Sequence, residues 1–146
     1  MELRGPRSPI PKGRPVDQAQ AEKVLNSVLD SGINLIDTSI DYGESEELIG
    51  KYVSHRRDEY LLASKCGCNA DTTSVEEGIA PRHIYTRENL IKGVELSLRR
   101  MNTDHLDLLQ FHGSPPVELR DQAVQTLLDL KSDGKTRFIG VSDVLP

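Results

Sequence analysis

The sequence predicts an α/β fold in which a parallel sheet is built from strands that alternate with helices. Short apolar runs alternate along the chain with longer segments whose apolar residues recur at helical spacing. Such alternation is typical of parallel sheets with crossover helices. The 146 residues, 36% hydrophobic and 28% charged, have the length and composition of one globular domain. No G-x-G-x-x-G motif is present, so the predicted sheet lacks the dinucleotide-binding turn of Rossmann folds.

The first half of the domain contains two predicted helices and two predicted strands. Asp17 is a typical N-cap for the first helix, and Gly32 is placed to end it. Residues 33–37 form an apolar run suited to a buried strand, and Ser45 begins a short second helix. Residues 60–65 form the second predicted strand.

The second half repeats this order after a polar segment. Residues 66–85 show no clear period, which predicts a functional loop or a flexible insertion. Thr86 caps a strongly periodic helix, and residues 106–111 form the third strand. Residues 117–132 form a long helix and residues 136–141 the fourth strand. Apolar residues predict the inward face of that last helix: Val124, Leu127 and Leu128.

A boundary near residue 15 divides the chain into two predicted regions. Residues 1–15 contain four of the eight prolines and four basic residues against a single acid, Glu2. A segment with so little apolar surface cannot offset its ordering entropy, so we expect a disordered tail, with a basic docking arm as the alternative. Residues 16–146 form the predicted folded domain.

Charge and composition exclude several classes of partner. A net charge of −5 argues against nucleic acid as the main partner, because phosphate binding needs a basic surface. No run reaches the roughly 18 apolar residues of a membrane helix, and the start has no apolar secretory core. The two cysteines, Cys66 and Cys68, are too close for a mutual disulfide. We therefore expect a cytoplasmic protein without membrane or nucleic-acid contacts.

Chemically active side chains follow three of the predicted strands. Asp37 and Tyr42 follow the first strand, Lys65 ends the second, and His112 ends the third. In parallel α/β folds, functional groups collect at this carboxyl end of the strands. A lysine cation favours ionisation of a neighbouring phenol, and a carboxylate holds the lysine in place. Such a set can donate a proton to an oxygen that gains negative charge, as carbonyl reduction by hydride requires.

With these residues in this order, the chain resembles the aldo-keto reductase family. The family signature places an Asp five residues before the catalytic Tyr, as Asp37 and Tyr42 are spaced here. The resemblance covers about residues 16–143 and is carried by these ordered stretches: 32–38 with 41–43, 61–65, 106–112 and 134–142.

The resemblance implies a (β/α)₈ barrel that binds a nicotinamide cofactor, usually NADPH, and reduces a small-molecule aldehyde or ketone without a metal. By this mapping Tyr42 is the general acid, Lys65 assists its ionisation, and Asp37 pairs with Lys65 and borders the cofactor. His112 orients the substrate carbonyl. Ser142 and the next residue hold the nicotinamide carboxamide; the family usually has Asn at that next position, where this chain has Asp143.

The length predicts only part of such a barrel. A complete barrel needs about 250 residues, so we expect roughly strands two to five, with the first strand and strands six to eight missing. Two sheet edges, at residues 33–37 and 136–141, would then be unpaired, which predicts self-association. Candidate residues for the open inner face of the sheet are Leu35, Leu62, Leu108 and Ile139.

Two alternatives to an active enzyme remain open at this point. The chain alone is expected to be inactive, so one alternative is a non-catalytic fragment or regulatory subunit that keeps the barrel elements. The other is a metal site made from Cys66 and Cys68 together with His112 or His83. Structural zinc sites usually have four ligands and C-x₂₋₄-C spacing, which C-x-C does not match.

Overall fold

Four parallel strands alternate with helices along the described chain. The computed structural model describes residues 17–71 and 83–143. The elements are α1 (Gln18–Asp30), β1 (Leu35–Asp37), α2 (Ser45–Val53), β2 (Leu61–Cys66), α3 (Arg87–Met101), β3 (Leu106–His112), α4 (Val117–Ser132) and β4 (Thr136–Ser142). A 3₁₀ helix, Ser54–Glu59, joins α2 to β2 and was not predicted. The predicted α/β class is confirmed.

The sheet has the order β1-β2-β3-β4, and all three strand pairs are parallel. The register pairs Lys65 with Gln110 and Gln110 with Gly140. All four strands therefore end at the same edge of the sheet. Within the described residues, β1 and β4 are the outer strands, as the sequence predicted.

Capping residues set the helix boundaries close to their predicted positions. The Asp17 side chain accepts a hydrogen bond from the Gln20 backbone N–H at 3.1 Å, so α1 begins as predicted. Gly32, with φ at +86°, follows the end of α1 in a conformation that favours glycine. The following strand is shorter than predicted and begins at Leu35.

The helices cover one face of the sheet and bury the main core there. Leu62 is fully buried in this core and Ile139 packs against it, so both lie under the helices and not on the open face as predicted. The orientation predicted for α4 is also partly wrong, since Val124 and Leu128 are exposed. The buried face of α4 is rotated about the helix axis by roughly one residue relative to the predicted face. It consists of Ala123, Thr126, Leu127 and Leu130.

The opposite face of the sheet leaves large apolar side chains exposed. Leu35, Leu61 and Phe138 are 56%, 44% and 58% exposed. Strand alternation and register place these residues on the same face as Asp37 and Lys65. This face is the one that an inner barrel wall would present.

Two sequence predictions fall wholly or partly outside the described residues. The predicted tail, residues 1–15, lies outside them, as do residues 72–82 of the predicted loop. The described part of that loop contains an antiparallel bridge between Cys68 and His83. No helix in the described ranges is both long and apolar enough to cross a membrane.

Candidate active site

Four side chains predicted from the sequence meet at the carboxyl edge of the sheet. Asp37 and His112 are the last residues of β1 and β3, and Lys65 is the penultimate residue of β2. Tyr42 comes from the turn that links β1 to α2. The structure therefore brings together residues that are up to 75 positions apart in the chain.

An ion pair between Asp37 and Lys65 forms one side of this cluster. The Lys65 Nζ lies 2.6 Å from Asp37 Oδ2 and donates a further hydrogen bond to the Thr38 backbone oxygen at 2.9 Å. Lys65 is only 4% exposed, whereas the Asp37 side chain is 49% exposed. The amide of Gln110 donates to Asp37 Oδ1 at 3.3 Å. The buried ammonium is thus held from two sides by oxygen acceptors.

A tight turn returns Tyr42 to the strand ends. The backbone N–H of Thr38 donates to the Ala63 oxygen at 2.9 Å, and that of Tyr42 donates to the Ser39 oxygen at 3.0 Å. These bonds bring the Tyr42 ring over Lys65, with Nζ 5.0 Å from the ring centroid. Lys65 thus makes a cation–π contact with the Tyr42 ring.

His112 forms the other side of the cluster. Its ring meets the Tyr42 ring edge-on, with the centroids 5.8 Å apart. Three side-chain atoms surround its Nδ1: Cys68 Sγ at 3.1 Å, Ser39 Oγ at 3.3 Å and Asp41 Oδ1 at 3.4 Å. The imidazole is therefore oriented through its Nδ1 side.

The two residues predicted to hold a nicotinamide lie at the end of β4. Ser142 pairs with His112 in the strand register, and its backbone oxygen accepts a hydrogen bond from the Gly113 N–H at 2.9 Å. The Asp143 carboxylate accepts a hydrogen bond from the Ser114 hydroxyl at 2.5 Å. Both residues thus lie at the same sheet edge as the four predicted catalytic residues.

Burial changes the acidity of two groups beside this edge. Desolvation raises the pKa of the Tyr85 phenol to about 12, and the neighbouring Cys68 and Cys66 add to that rise. Desolvation also raises the pKa of the Cys66 thiol. Tyr85 donates a hydrogen bond to the His112 backbone oxygen at 2.6 Å, so it acts as a neutral support for β3.

Sequence reasoning missed several residues of the site. Gln110 lies two residues before His112 on one strand, so alternation alone could have placed both side chains on one face. His83 was considered only as a metal ligand, yet its ring lies 5.2 Å from the His112 ring. Cys68 and His112 were considered together only in the metal-site alternative, and the structure brings Cys68, His83 and His112 together without Cys66. Their approach depends on the path of the chain after β2.

Comparison with known proteins agrees with this architecture. The sequence profile described as the Aldo/keto reductase family matches residues 8–145, a match that begins within the predicted tail. The chain is 32% identical over 132 residues to the uncharacterized oxidoreductase YqkF of Bacillus subtilis, covering 89% of this chain and 42% of YqkF. It is 36% identical over 132 residues to the oxidoreductase YdhF of Escherichia coli, covering 87% of this chain and 44% of YdhF.

A solved structure shows the same likeness in three dimensions. The aldo-keto reductase AKR11C1 from Bacillus halodurans, in its holo form, superposes with a TM-score of 0.78 at 31% identity. The match covers 89% of this chain and 43% of that one. The chain therefore spans less than half the length of these relatives, and its fold corresponds to part of their barrel.

Proposed function

Because the chain belongs to the aldo/keto reductase family, we propose that it contributes the proton-donating half of a site that reduces an aldehyde or ketone to an alcohol with NAD(P)H. The observation that carries this proposal is the convergence of Asp37, Tyr42, Lys65 and His112 at one sheet edge. The relatives are named as oxidoreductases and aldo-keto reductases. The complete reaction is proposed for a whole barrel like those of the relatives, of which residues 17–143 match only a part.

Tyr42 is the proposed proton donor to the carbonyl oxygen. As negative charge develops on that oxygen, the phenol transfers its proton, and the phenolate that remains is stabilised by the Lys65 ammonium 5.0 Å from the ring centre. Asp37 keeps the ammonium in place through the 2.6 Å ion pair. Since Lys65 is nearly fully buried, its charge acts through a medium that water screens poorly.

His112 is proposed to orient the substrate carbonyl. Cys68, Ser39 and Asp41 occupy the Nδ1 side of the ring. The Nε2 atom is then the nitrogen left to hydrogen-bond the carbonyl oxygen beside the Tyr42 hydroxyl. Two groups that meet at one oxygen define where a small-molecule substrate must bind.

The cofactor expected from the family is NADPH, and the residues at the end of β4 fit one part of it. When bound, the nicotinamide supplies the hydride. A carboxamide has both an acceptor and donors, and Ser142 can donate while the Asp143 carboxylate can only accept. The exposed carboxylate of Asp37 lies at the same edge, so these three residues would hold the nicotinamide end.

A chimeric enzyme tests this proposal. Residues 17–143 replace the matching stretch of YdhF, and NADPH oxidation is followed with a panel of aldehydes and ketones. We expect turnover within about tenfold of the parent, since the four catalytic side chains are preserved. A folded chimera that binds NADPH without turning over any carbonyl would contradict the proposal. That outcome would favour the alternative of a non-catalytic or regulatory role.

A further inference from the structure

We propose that Cys68, His83 and His112 form a binding site for a transition-metal ion, with Zn²⁺ as the best-fitting ion. One ligand atom from each of these residues lies within 4.8 Å of the other two. Cys68 Sγ lies 3.1 Å from His112 Nδ1. No other group of three or more possible metal ligands occurs among the described residues.

The backbone holds the first two ligands side by side. Cys68 and His83 form an antiparallel bridge, and the adjoining Ile84 N–H donates to the Gly67 oxygen at 2.6 Å. The Asn89 amide clamps both segments, because its Nδ2 donates to the Cys68 oxygen at 2.9 Å and to the Ile84 oxygen at 2.8 Å. The two ligands are therefore fixed relative to each other before any ion binds.

The third ligand is tied to the same assembly through Tyr85. The Tyr85 hydroxyl donates to the His112 backbone oxygen at 2.6 Å. Its ring lies against Gly67, where an added Cβ would come within 2.7 Å of the ring at a φ of +100°. Gly67 thus permits the close approach that joins the Cys68–His83 bridge to the end of β3. Sites whose ligands are held by such supports pay little to organise on binding.

The chemistry of the three ligands selects the class of ion. A thiolate with two imidazoles is a borderline-soft set that suits zinc better than calcium or magnesium, which prefer oxygen ligands. Three protein ligands are typical of zinc sites that keep one position open for water or substrate. Asp41, with Oδ1 3.4 Å from His112 Nδ1, adds negative charge that favours a cation at this point.

The two cysteines have different roles in this site. Cys66 belongs to the main hydrophobic core and is 1% exposed, whereas Cys68 belongs to a separate small cluster beside the strand ends. Of the two, only Cys68 belongs to the group whose ligand atoms lie within 4.8 Å of one another. The C-x-C pair therefore contributes one ligand.

Cobalt titration of the 146-residue chain tests the site without any enzymatic assay. The chain is freed of metal with a chelator and titrated with Co²⁺ under reducing conditions. We expect one Co²⁺ to bind per chain and to give a thiolate-to-cobalt charge-transfer band in the near ultraviolet. Added Zn²⁺ should displace the Co²⁺ and abolish the band. Failure to bind Co²⁺ or Zn²⁺ at micromolar concentrations would overturn the proposal, and a bare thiol–imidazole hydrogen bond would then explain the 3.1 Å contact.

Matched variants identify the ligands. Cys68→Ser should abolish the charge-transfer band, and His83→Gln should weaken Co²⁺ binding by at least about 100-fold. Loss of a residue that only supports a ligand weakens binding by at most about 100-fold, so a larger loss identifies a ligand. Cys66→Ser and His105→Gln change the same residue types outside the cluster and should leave binding unchanged. A band that persists in Cys68→Ser, or one that Cys66→Ser removes, would contradict the assignment.

X-ray absorption of the unaltered chain loaded with Zn²⁺ gives a second measurement that needs no variant. One sulfur ligand at about 2.3 Å and two imidazole nitrogens at about 2.0–2.1 Å are expected. A shell of oxygens alone would overturn the site. Both readouts are independent of carbonyl reduction, so failure of the metal site and failure of the proposed reductase function are distinguishable.

Discussion

The two ends of the sheet carry similar charged groups but expose them differently. At the amino end, the Asp107 side chain is 6% exposed and its carboxylate is fully engaged. Oδ2 accepts from the Leu62 N–H at 2.9 Å and from Arg57 at 2.6 Å, while Oδ1 accepts from Arg137 at 2.7 Å. At the carboxyl end, the Asp37 carboxylate is half exposed and its partner Lys65 is the buried member.

This difference separates groups that hold the fold from groups available to a ligand. Burial by itself would raise the pKa of Asp107, but the Leu62 N–H and the two arginines outweigh it and lower that pKa. The Asp107 carboxylate therefore stabilises the fold and has no oxygen free of these internal partners. In β/α barrels the amino ends of strands serve stability and the carboxyl ends serve chemistry. The two aspartates follow that division.

The largest expected effect is the loss of Asp107. Asp107→Asn removes the carboxylate that pairs with Arg57 and leaves that largely buried cation with neutral hydrogen-bond partners only. This should cost about 3–5 kcal/mol of unfolding free energy. Urea denaturation followed by circular dichroism measures this. The surface pair Arg87–Asp129 is the control, and Asp129→Asn should cost much less unfolding free energy than Asp107→Asn. Equal losses in the two variants would show that burial does not distinguish the sites.

Tyr42→Phe should remove activity while leaving the fold intact. Losing the proposed proton donor should lower kcat of the YdhF chimera by about 10²–10⁴-fold, with unfolding free energy unchanged within about 0.5 kcal/mol. Tyr52→Phe is the matched control, because that hydroxyl bonds Gln18 on the outer surface. Near-parental turnover in Tyr42→Phe would refute the assignment of the donor.

We expect the chain to self-associate through the exposed apolar face of the sheet, the face opposite the helices. Lysines in place of Leu61 and Phe138 should weaken association of the 146-residue chain by at least about tenfold, or 1.4 kcal/mol, since they add charge to the exposed face. Size-exclusion chromatography with light scattering measures the mass. Val117→Lys changes an apolar residue that is 76% exposed elsewhere and should have no effect. A wild-type chain that remains monomeric would contradict this prediction.

Acid should weaken the amino end of the sheet through Asp107. Its folded pKa lies below the unfolded value, so its stabilisation is complete above about pH 4 and is lost as pH falls through the folded pKa. This group contributes at most about 1.4 kcal/mol per pH unit. Wild-type chain should lose stability below pH 4 more steeply than Asp107→Asn in parallel urea titrations. Parallel curves would count against the depressed pKa.

The smallest expected effect concerns the cofactor end of β4. Asp143→Asn supplies an amide donor for the carboxamide oxygen and should tighten NADPH binding to the chimera by roughly 0.5–1.5 kcal/mol. Asn can still accept the hydrogen bond that Ser114 donates to Asp143. Fluorescence titration with NADPH measures the dissociation constant. An unchanged or larger constant would show that Asp143 does not contact the nicotinamide.

Much of the fold and part of the site were predictable from local patterns. Periodicity and capping residues such as Asp17 and Thr86 predicted all eight main elements, since these signals act within one element. Strand–helix alternation then placed Asp37, Lys65 and His112 at one edge, because parallel strands end on the same side. The sequence by itself thus determined the class of fold and the edge of the sheet at which Asp37, Lys65 and His112 meet.

Tertiary structure alone decided which partners those side chains have. The approach of Cys68 to His112 joins residues 44 positions apart through a bridge in a segment without periodicity. The full engagement of Asp107 and the inward face of α4 also depend on packing between elements. Local propensity specifies the conformation of a segment, whereas register and packing across the whole domain determine which distant atoms meet.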